Sequence, residues 1–452
     1  MQTPLGLTLM GLAIIIITVT ILIQGRTTPL VPMTIVPVVG ALIAGFGEIG
    51  DFFEEGLGSV MNVVAMFIFA IIFFGILQDV GLFNPVIRAL ITATRGNVVA
   101  VTVGTAAIGI VAHLDGSGST TFLLTIPALL PLYTALNISR YVLVTIVALA
   151  ASVMNMVPWG GPLGRAGSVV NQDTHQIWMH LLPIQGVCVV MVLAIAAALG
   201  VWQKRRIAKL RAAGQLEGEE AVDVNAIASD FIRKQKQEQE DKGFRNRAGR
   251  VVTILNVAVI LLVLVALLSG LLPPAPAFLL AATVTLLINF DSQSEQTDAL
   301  RRHAPNALSM AGIILAAAMF LGVLNGTGML EAIAQQLIAI LPASVGPYLH
   351  VIIGLLGVPL DLMTSTDAYY FSILPIVQET VANFGVSGMG AASALIIGNV
   401  IGTFVSPFSP ALWLALGLAR ADMGKYLKIA FPLAWAFSLA IVLVAFAFGM
   451  LA

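Results

Sequence analysis

The sequence predicts an all-α polytopic membrane protein. About 11–12 transmembrane helices are expected, in two structural repeats that each carry a re-entrant hairpin and a broken helix. Three observations predict this. Of the 452 residues, 58% are hydrophobic and only 10% charged, with a mean hydropathy of +0.98; a soluble domain carries about 25% charged residues. Windows near the length a helix needs to cross the hydrocarbon recur at 5–23, 184–201, 251–272 and 429–451. A polar heptapeptide also occurs twice in apolar surroundings. Leu114-Asp115-Gly116-Ser117-Gly118-Ser119-Thr120 returns 246 residues later as Leu360-Asp361-Leu362-Met363-Thr364-Ser365-Thr366.

The apolar segments do not alternate polar and apolar residues as barrel strands would. The first lacks a preceding basic residue and a small-x-small cleavage site, so it is expected to stay as a helix rather than act as a signal peptide. One cysteine, Cys188, allows no intrachain disulfide and no metal-site spacing. Nucleic acid binding is excluded by the absence of a basic face, and the net charge of -1 indicates no partner. No phosphate loop, nucleotide fingerprint or zinc-type histidine pair is present, so an enzyme is not expected.

Along the chain, 1–56 reads as N-terminal scaffold helices and 57–202 as repeat 1, with its hairpin near 98–132. The stretch 203–250 holds 12 of the 22 basic residues and eight acids. That excess marks a cytoplasmic linker, either a helical hairpin or partly disordered. Segment 251–303 supplies further scaffold helices, and 304–452 forms repeat 2 with its hairpin near 347–378. Two more similarities keep the same order: Gly75 to Gly81 pairs with Gly322 to Gly328, and Asn155 and Pro162 pair with Asn399 and Pro407. Duplication does not by itself establish inversion, which needs an odd number of crossings between matching points.

Carboxylates and hydroxyls at membrane depth are costly and mark binding sites or ion paths. The apolar arms around the first motif, about 11 to 15 residues, are too short for a full crossing, so a re-entrant hairpin is expected. Gly116 and Gly118 permit a non-helical tip, whose backbone N–H groups at a helix start suit an anion. The second tip has no glycine but adds Asp367. Pro158, Gly160, Gly161 and Pro162 break one following helix, with Arg165 just beyond; Gly402, Thr403, Ser406 and Pro407 break the other.

Simpler roles compete. Asp115 and Asp361 could be helix caps, Ser and Thr pairs could bond back to their own turns, and Arg165 could snorkel. His113 could be a satisfied core histidine. His175, His180, His350, Glu331 and Arg420 read as interfacial, and Trp159 and Trp178 as interface belt or packing.

Taken together, Leu114 to Phe122, Leu129 to Tyr133, Met154 to Pro162 with Arg165, Asp367 to Pro375, and Gly402 to Pro407 resemble the citrate–metal:proton symporter family (CitMHS). The resemblance spans nearly the whole chain outside the basic linker. It implies a homodimeric elevator carrier with a scaffold domain and a moving transport domain. Two inverted hairpins would grip substrate carboxylates through Ser/Thr tips, here Asp115–Thr120 and Asp361–Asp367. The broken helices would be Asn155–Arg165 and Asn399–Ser406. The implied substrate is citrate complexed with Mg²⁺ or Ca²⁺, imported with protons across a bacterial inner membrane.

On this reading Ser117, Gly118, Ser119, Thr120, Thr364, Ser365, Thr366 and the tip amides hold citrate. Asn155, Gly160, Gly161, Asn399, Thr403 and Ser406 complete the cradle, and Arg165 neutralises part of the ligand charge. Asp115, Asp361 or Asp367 takes the proton or touches the carried metal, because exclusion of water disfavours a bare carboxylate. No permanently bound cofactor is expected; membrane lipids and a second copy of the chain are the expected partners. A symporter of another organic anion, such as a dicarboxylate or gluconate, is the closest alternative. A channel or non-transporting membrane subunit is the alternative of another class.

Overall fold

The computed structural model describes residues 3–24, 26–216, 223–241, 249–342 and 344–452, and among these every regular element is helical. Seven helices are long and apolar enough to cross a membrane, or eight if one bent pair counts as a span. Six shorter apolar helices of 10–17 residues accompany them among the described residues.

The first half comprises α1 (Pro4–Gln24), α2 (Leu30–Ala44), α3 (Ile49–Asp79), α4 (Asn84–Ala93), α5 (Val98–Ala112), α6 (Gly118–Ala135), α7 (Arg140–Met154), α8 (Gly161–Val170) and α9 (Thr174–Ala212). A linker helix follows, α10 (Val224–Asp241). The second half begins with α11 (Arg250–Leu268), α12 (Pro274–Asn289), α13 (Gln293–Gly326) and α14 (Met329–Ile340). It continues through α15 (Leu349–Leu355), α16 (Gly357–Met363), α17 (Thr366–Ala368), a π-helical turn at Tyr369–Ile373, α18 (Leu374–Ala382), α19 (Gly388–Val400), α20 (Pro410–Ala419) and α21 (Met423–Ala447).

Two expected boundaries fall inside helices. α3 runs through position 56 and α13 through 303. Ser292 and Glu295 form a capping box that starts α13 ahead of the expected boundary. α9 likewise continues past 202 to Ala212, while parts of the linker, 217–222 and 242–248, lie outside the described residues.

The long helices α3 and α13 pack antiparallel. Near one end of the pair a Cβ on Gly56 would meet the Ala318 carbonyl oxygen at 2.2 Å, and one on Gly322 would meet that of Phe52 at 2.1 Å. Near the other end, Asp79 accepts hydrogen bonds from His303 Nε2 (2.8 Å) and Arg302 Nε (3.1 Å). Small residues here let two backbones approach closely, which is how helices associate in lipid. α1, α2, α13 and α14 share one apolar cluster, while a larger one joins α5–α9 to α19–α21.

Candidate functional site

The first hairpin turns at Asp115–Ser117. A 3₁₀ turn at His113–Asp115 extends its leading arm to 18 residues, Val98–Asp115, longer than the sequence estimate. Gly116 has φ +71°, a left-handed conformation that disfavours a side chain. The turn is tied down by Asp115, whose carboxylate accepts from Ser117 N (2.9 Å) and from the Thr120 hydroxyl. Asp115 therefore caps its own tip. Past it, Gly118, Ser119 and Thr120 open α6, whose first N–H groups have no partner within the helix. The Ser117 and Ser119 hydroxyls make no hydrogen bond among the described residues, and Ser119 is exposed. This tip can present free donors to an anion.

The second hairpin is built differently. Its leading arm bends by 65° between Gly346–Leu355 and Gly357–Met363. Glycines let this arm press on α19: a Cβ on Gly398 would lie 2.0 Å from the Gly354 carbonyl oxygen. Asp361 is fully buried. Its Oδ1 accepts from Asn399 Nδ2 (2.9 Å) and Thr366 Oγ1 (3.3 Å), and its backbone carbonyl accepts from the Ser406 hydroxyl. Its Oδ2 has no hydrogen-bond partner, and neither has Asn399 Oδ1 or Thr403 Oγ1. Buried oxygens left unmatched are costly. Two of these residues, Asp361 and Asn399, are bonded to each other, and a carboxylate oxygen without a donor can accept a proton or another cation.

The other second-tip hydroxyls serve the backbone. Thr364 Oγ1 bonds back to Leu360 O (2.9 Å), and Ser365 Oγ caps Ala368 N (3.2 Å). The π-helical turn follows directly, a deformation often found at functional sites.

Each broken helix touches both tips. In the first, Trp159 Nε1 donates to Leu114 O (2.8 Å), and Arg165 Nε donates to Asp367 Oδ1 (2.6 Å) on the second tip. In the second, a Cβ on Gly402 would meet Asp361 Cβ at 3.4 Å, while the Phe404 ring closes over Gly118 of the first tip. Residues 402 and 404 are about 7 Å apart at most, so one short segment separates the tips. The Phe404 ring also meets His113 and Phe122 edge-on.

Several expected roles change. Arg165 does not snorkel; its side chain is 12% exposed and paired with Asp367. Asn155 is buried near His113, the first residue of the first tip's 3₁₀ turn. His113 also bonds Thr121 Oγ1 (2.7 Å), as a core histidine does. Gly160 and Gly161 shape the break: a Cβ on Gly160 would strike the Asn155 carbonyl oxygen at 2.1 Å, and one on Gly161 the Arg165 guanidinium at 2.4 Å. His350, expected at the interface, is buried and bonded to Leu451 O (2.7 Å). Trp159 and Trp178 are packing residues. The placement of Phe404 escaped sequence reading, since a lone aromatic in an apolar chain carries no signal.

Comparison with known proteins settles the family. The CitMHS family, described as "Citrate transporter", matches residues 12–402. This chain belongs to the CitMHS family. CitMHS relatives extend over nearly its full length. It is 31% identical over 438 residues to the "Citrate transporter" of Bacillus subtilis (strain 168), covering 97% of each chain. It is 30% identical over 443 residues to the "Mg(2+)/citrate complex secondary transporter" of that organism, covering 98% of each. As a member of CitMHS it is a multi-pass membrane transporter, not an enzyme. Among solved structures, the Alcanivorax borkumensis YdaH transporter aligns with TM-score 0.58 at 14% identity, over 87% of both chains. Neisseria gonorrhoeae MtrF aligns with TM-score 0.59 at 14% identity, over 90% of this chain and 83% of its own. These two share the fold.

Proposed function

We propose that this CitMHS transporter imports citrate, as its complex with Mg²⁺ or Ca²⁺, in symport with protons across a bacterial inner membrane. The observation that carries this reading is the Arg165–Asp367 ion pair where the two halves meet. Its side chains are only 12% and 14% exposed, and separating such a pair without replacement partners costs about 3–5 kcal/mol. A ligand of one sign leaves one member unpaired. Metal-citrate brings both signs: a carboxylate replaces Asp367 on Arg165, and the metal takes up Asp367. Free citrate satisfies only the arginine.

The remaining roles follow from what is free. Ser117, Ser119 and the first amides of α6 hold a second carboxylate. The coupling proton sits on Asp361 Oδ2, which has no hydrogen-bond partner among the described residues. Asp115, self-capped, holds its own turn. The antiparallel course of α3 and α13, which carry the matching Gly75 and Gly322 segments, supports inverted repeats. Elevator-type movement would carry both tips and both broken helices together, within a homodimer.

The test is uptake of labelled citrate into proteoliposomes under an imposed pH gradient, with and without Mg²⁺ or Ca²⁺. Saturable uptake requiring both the metal and the gradient is expected. No citrate uptake with any cation sinks the assignment, and non-saturating conduction would make the protein a channel.

A further inference from the structure

A polar cavity of about 530 Å³ lies far from the hairpin tips, where the linker meets the membrane helices. Its walls come from α4, α10, the first two turns of α11 and the last residue of α12. Arg88 and Lys236 supply two cations, and no Asp or Glu is among the described lining residues. Neither cation has a carboxylate partner among the described residues. Asn84 adds a donor, the Thr92 and Thr253 hydroxyls donate back to their own turns, and Asn256 and Asn289 form a reciprocal amide pair on the wall (2.8 Å each way).

A second, apolar groove of about 180 Å³ runs between α11 and α12, lined by Val259, Val263 and Ala266 on one helix and Ala277, Ala281 and Val284 on the other. On α11 the two features share one face: Val252 and Asn256 line the cavity, and Val259, Val263 and Ala266 line the groove. Steps of three and four residues keep these positions on one side of a helix. On α12 the same succession runs from Asn289 down to Ala277. The combined path from 253 to 266 is about 20 Å long, near the reach of an extended acyl chain. Outward-facing neighbours such as Val251, Ile254 and Val265 are exposed and apolar, as lipid-facing residues are.

We infer that cavity and groove together bind one anionic phospholipid from the leaflet that the linker faces. Its phosphate rests on Arg88 and Lys236, and one acyl chain lies between α11 and α12. Basic pockets between membrane helices recognise anionic headgroups by this chemistry. The continuous apolar groove favours a lipid over a free phosphate, which has nothing to place there. The binding joins α4 and α10 to the α11–α12 pair, so a bound lipid would brace the linker against the membrane.

The experiment uses the full chain, purified and delipidated in detergent, with bound lipid counted by native mass spectrometry. Phosphatidylglycerol and phosphatidylcholine of identical acyl chains are compared, with glycerol 3-phosphate as the soluble arm. Phosphatidylglycerol should be retained preferentially. Arg88→Gln with Lys236→Gln should weaken its retention about 30-fold, at about fivefold per juxtamembrane cation, and leave phosphatidylcholine unchanged. Ala89→Phe, which fills the cavity and keeps both charges, should also lower retention. Equal retention of the two lipids, or retention insensitive to both variants, overturns the proposal. So does glycerol 3-phosphate binding as tightly as phosphatidylglycerol, since the site would then be one for free phosphate.

Discussion

Asp361→Asn separates coupling from binding, because the structure lets asparagine fit where aspartate sits. One amide oxygen can accept from Asn399 and Thr366 as Oδ1 does now. The amide nitrogen takes the place of Oδ2, which has no hydrogen-bond partner among the described residues. A neutral hydrogen bond contributes about 1 kcal/mol net. The exchange keeps both hydrogen bonds and loses only the strength of a charged acceptor, leaving stability within about 1–2 kcal/mol of the parent. Transport changes far more. With the inside two pH units more alkaline, each coupled proton supports about 100-fold accumulation of substrate. Asparagine cannot release a proton, so gradient-driven accumulation should vanish while exchange of internal for external metal-citrate persists. The assay is labelled citrate accumulation in proteoliposomes with and without the pH gradient, followed by counterflow at equal pH. Gradient-driven accumulation equal to that of the parent would falsify the placement of the coupling proton on Asp361.

Other substitutions test the remaining assignments. Ser117→Ala and Ser119→Ala each remove a hydroxyl that has no protein partner; each should raise the apparent KM for metal-citrate about fivefold, the equivalent of one hydrogen bond. Thr364→Val, which removes a hydroxyl bonded to its own turn, should leave KM unchanged, and a larger effect there would point to direct ligand contact. Arg165→Gln should abolish saturable uptake, and the double variant Arg165→Gln with Asp367→Asn should recover folding yield but not metal-dependent transport. Gly398→Ala places a methyl 2.0 Å from a backbone oxygen of the second hairpin and should lower thermal stability by about 1–3 kcal/mol. Gly417→Ala, with nothing within 4 Å, is the neutral control in the same melting measurement.

The membrane class, the two tips and the two breaks were legible in the sequence because each leaves a local mark. Polar residues in an apolar run stand out, and prolines with glycines interrupt a helix wherever it packs. Pairings across the two halves leave no such mark. Nothing in Arg165 or Asp367 alone says that they meet across 202 positions, and nothing in Phe404 says that its ring closes over Gly118. Hydropathy also does not separate a full crossing from a shorter apolar helix such as α7 or α19, whose break lies just beyond it. The start of α13 falls inside the segment assigned to scaffold helices, because a capping box marks a helix start that hydropathy does not register.

The duplicated motif thus holds two different devices. In the first copy Asp115 is consumed by its own turn, accepting from Ser117 and Thr120. That leaves the serines and the start of α6 as a neutral donor surface. In the second copy the equivalent Asp361 accepts from Thr366 of its own tip but also from Asn399 on the following broken helix, and keeps one oxygen without a partner among the described residues. The neighbouring Asp367 already has a cation in Arg165. On the proposed reading, one tip would offer donors to an anion and the other acceptors to a proton and a metal. A substrate carrying both signs would engage the two at once, and the segment from Gly402 to Phe404 borders both. Filling one side would then press on the segment that borders the other, a physical route by which substrate and proton would sense each other.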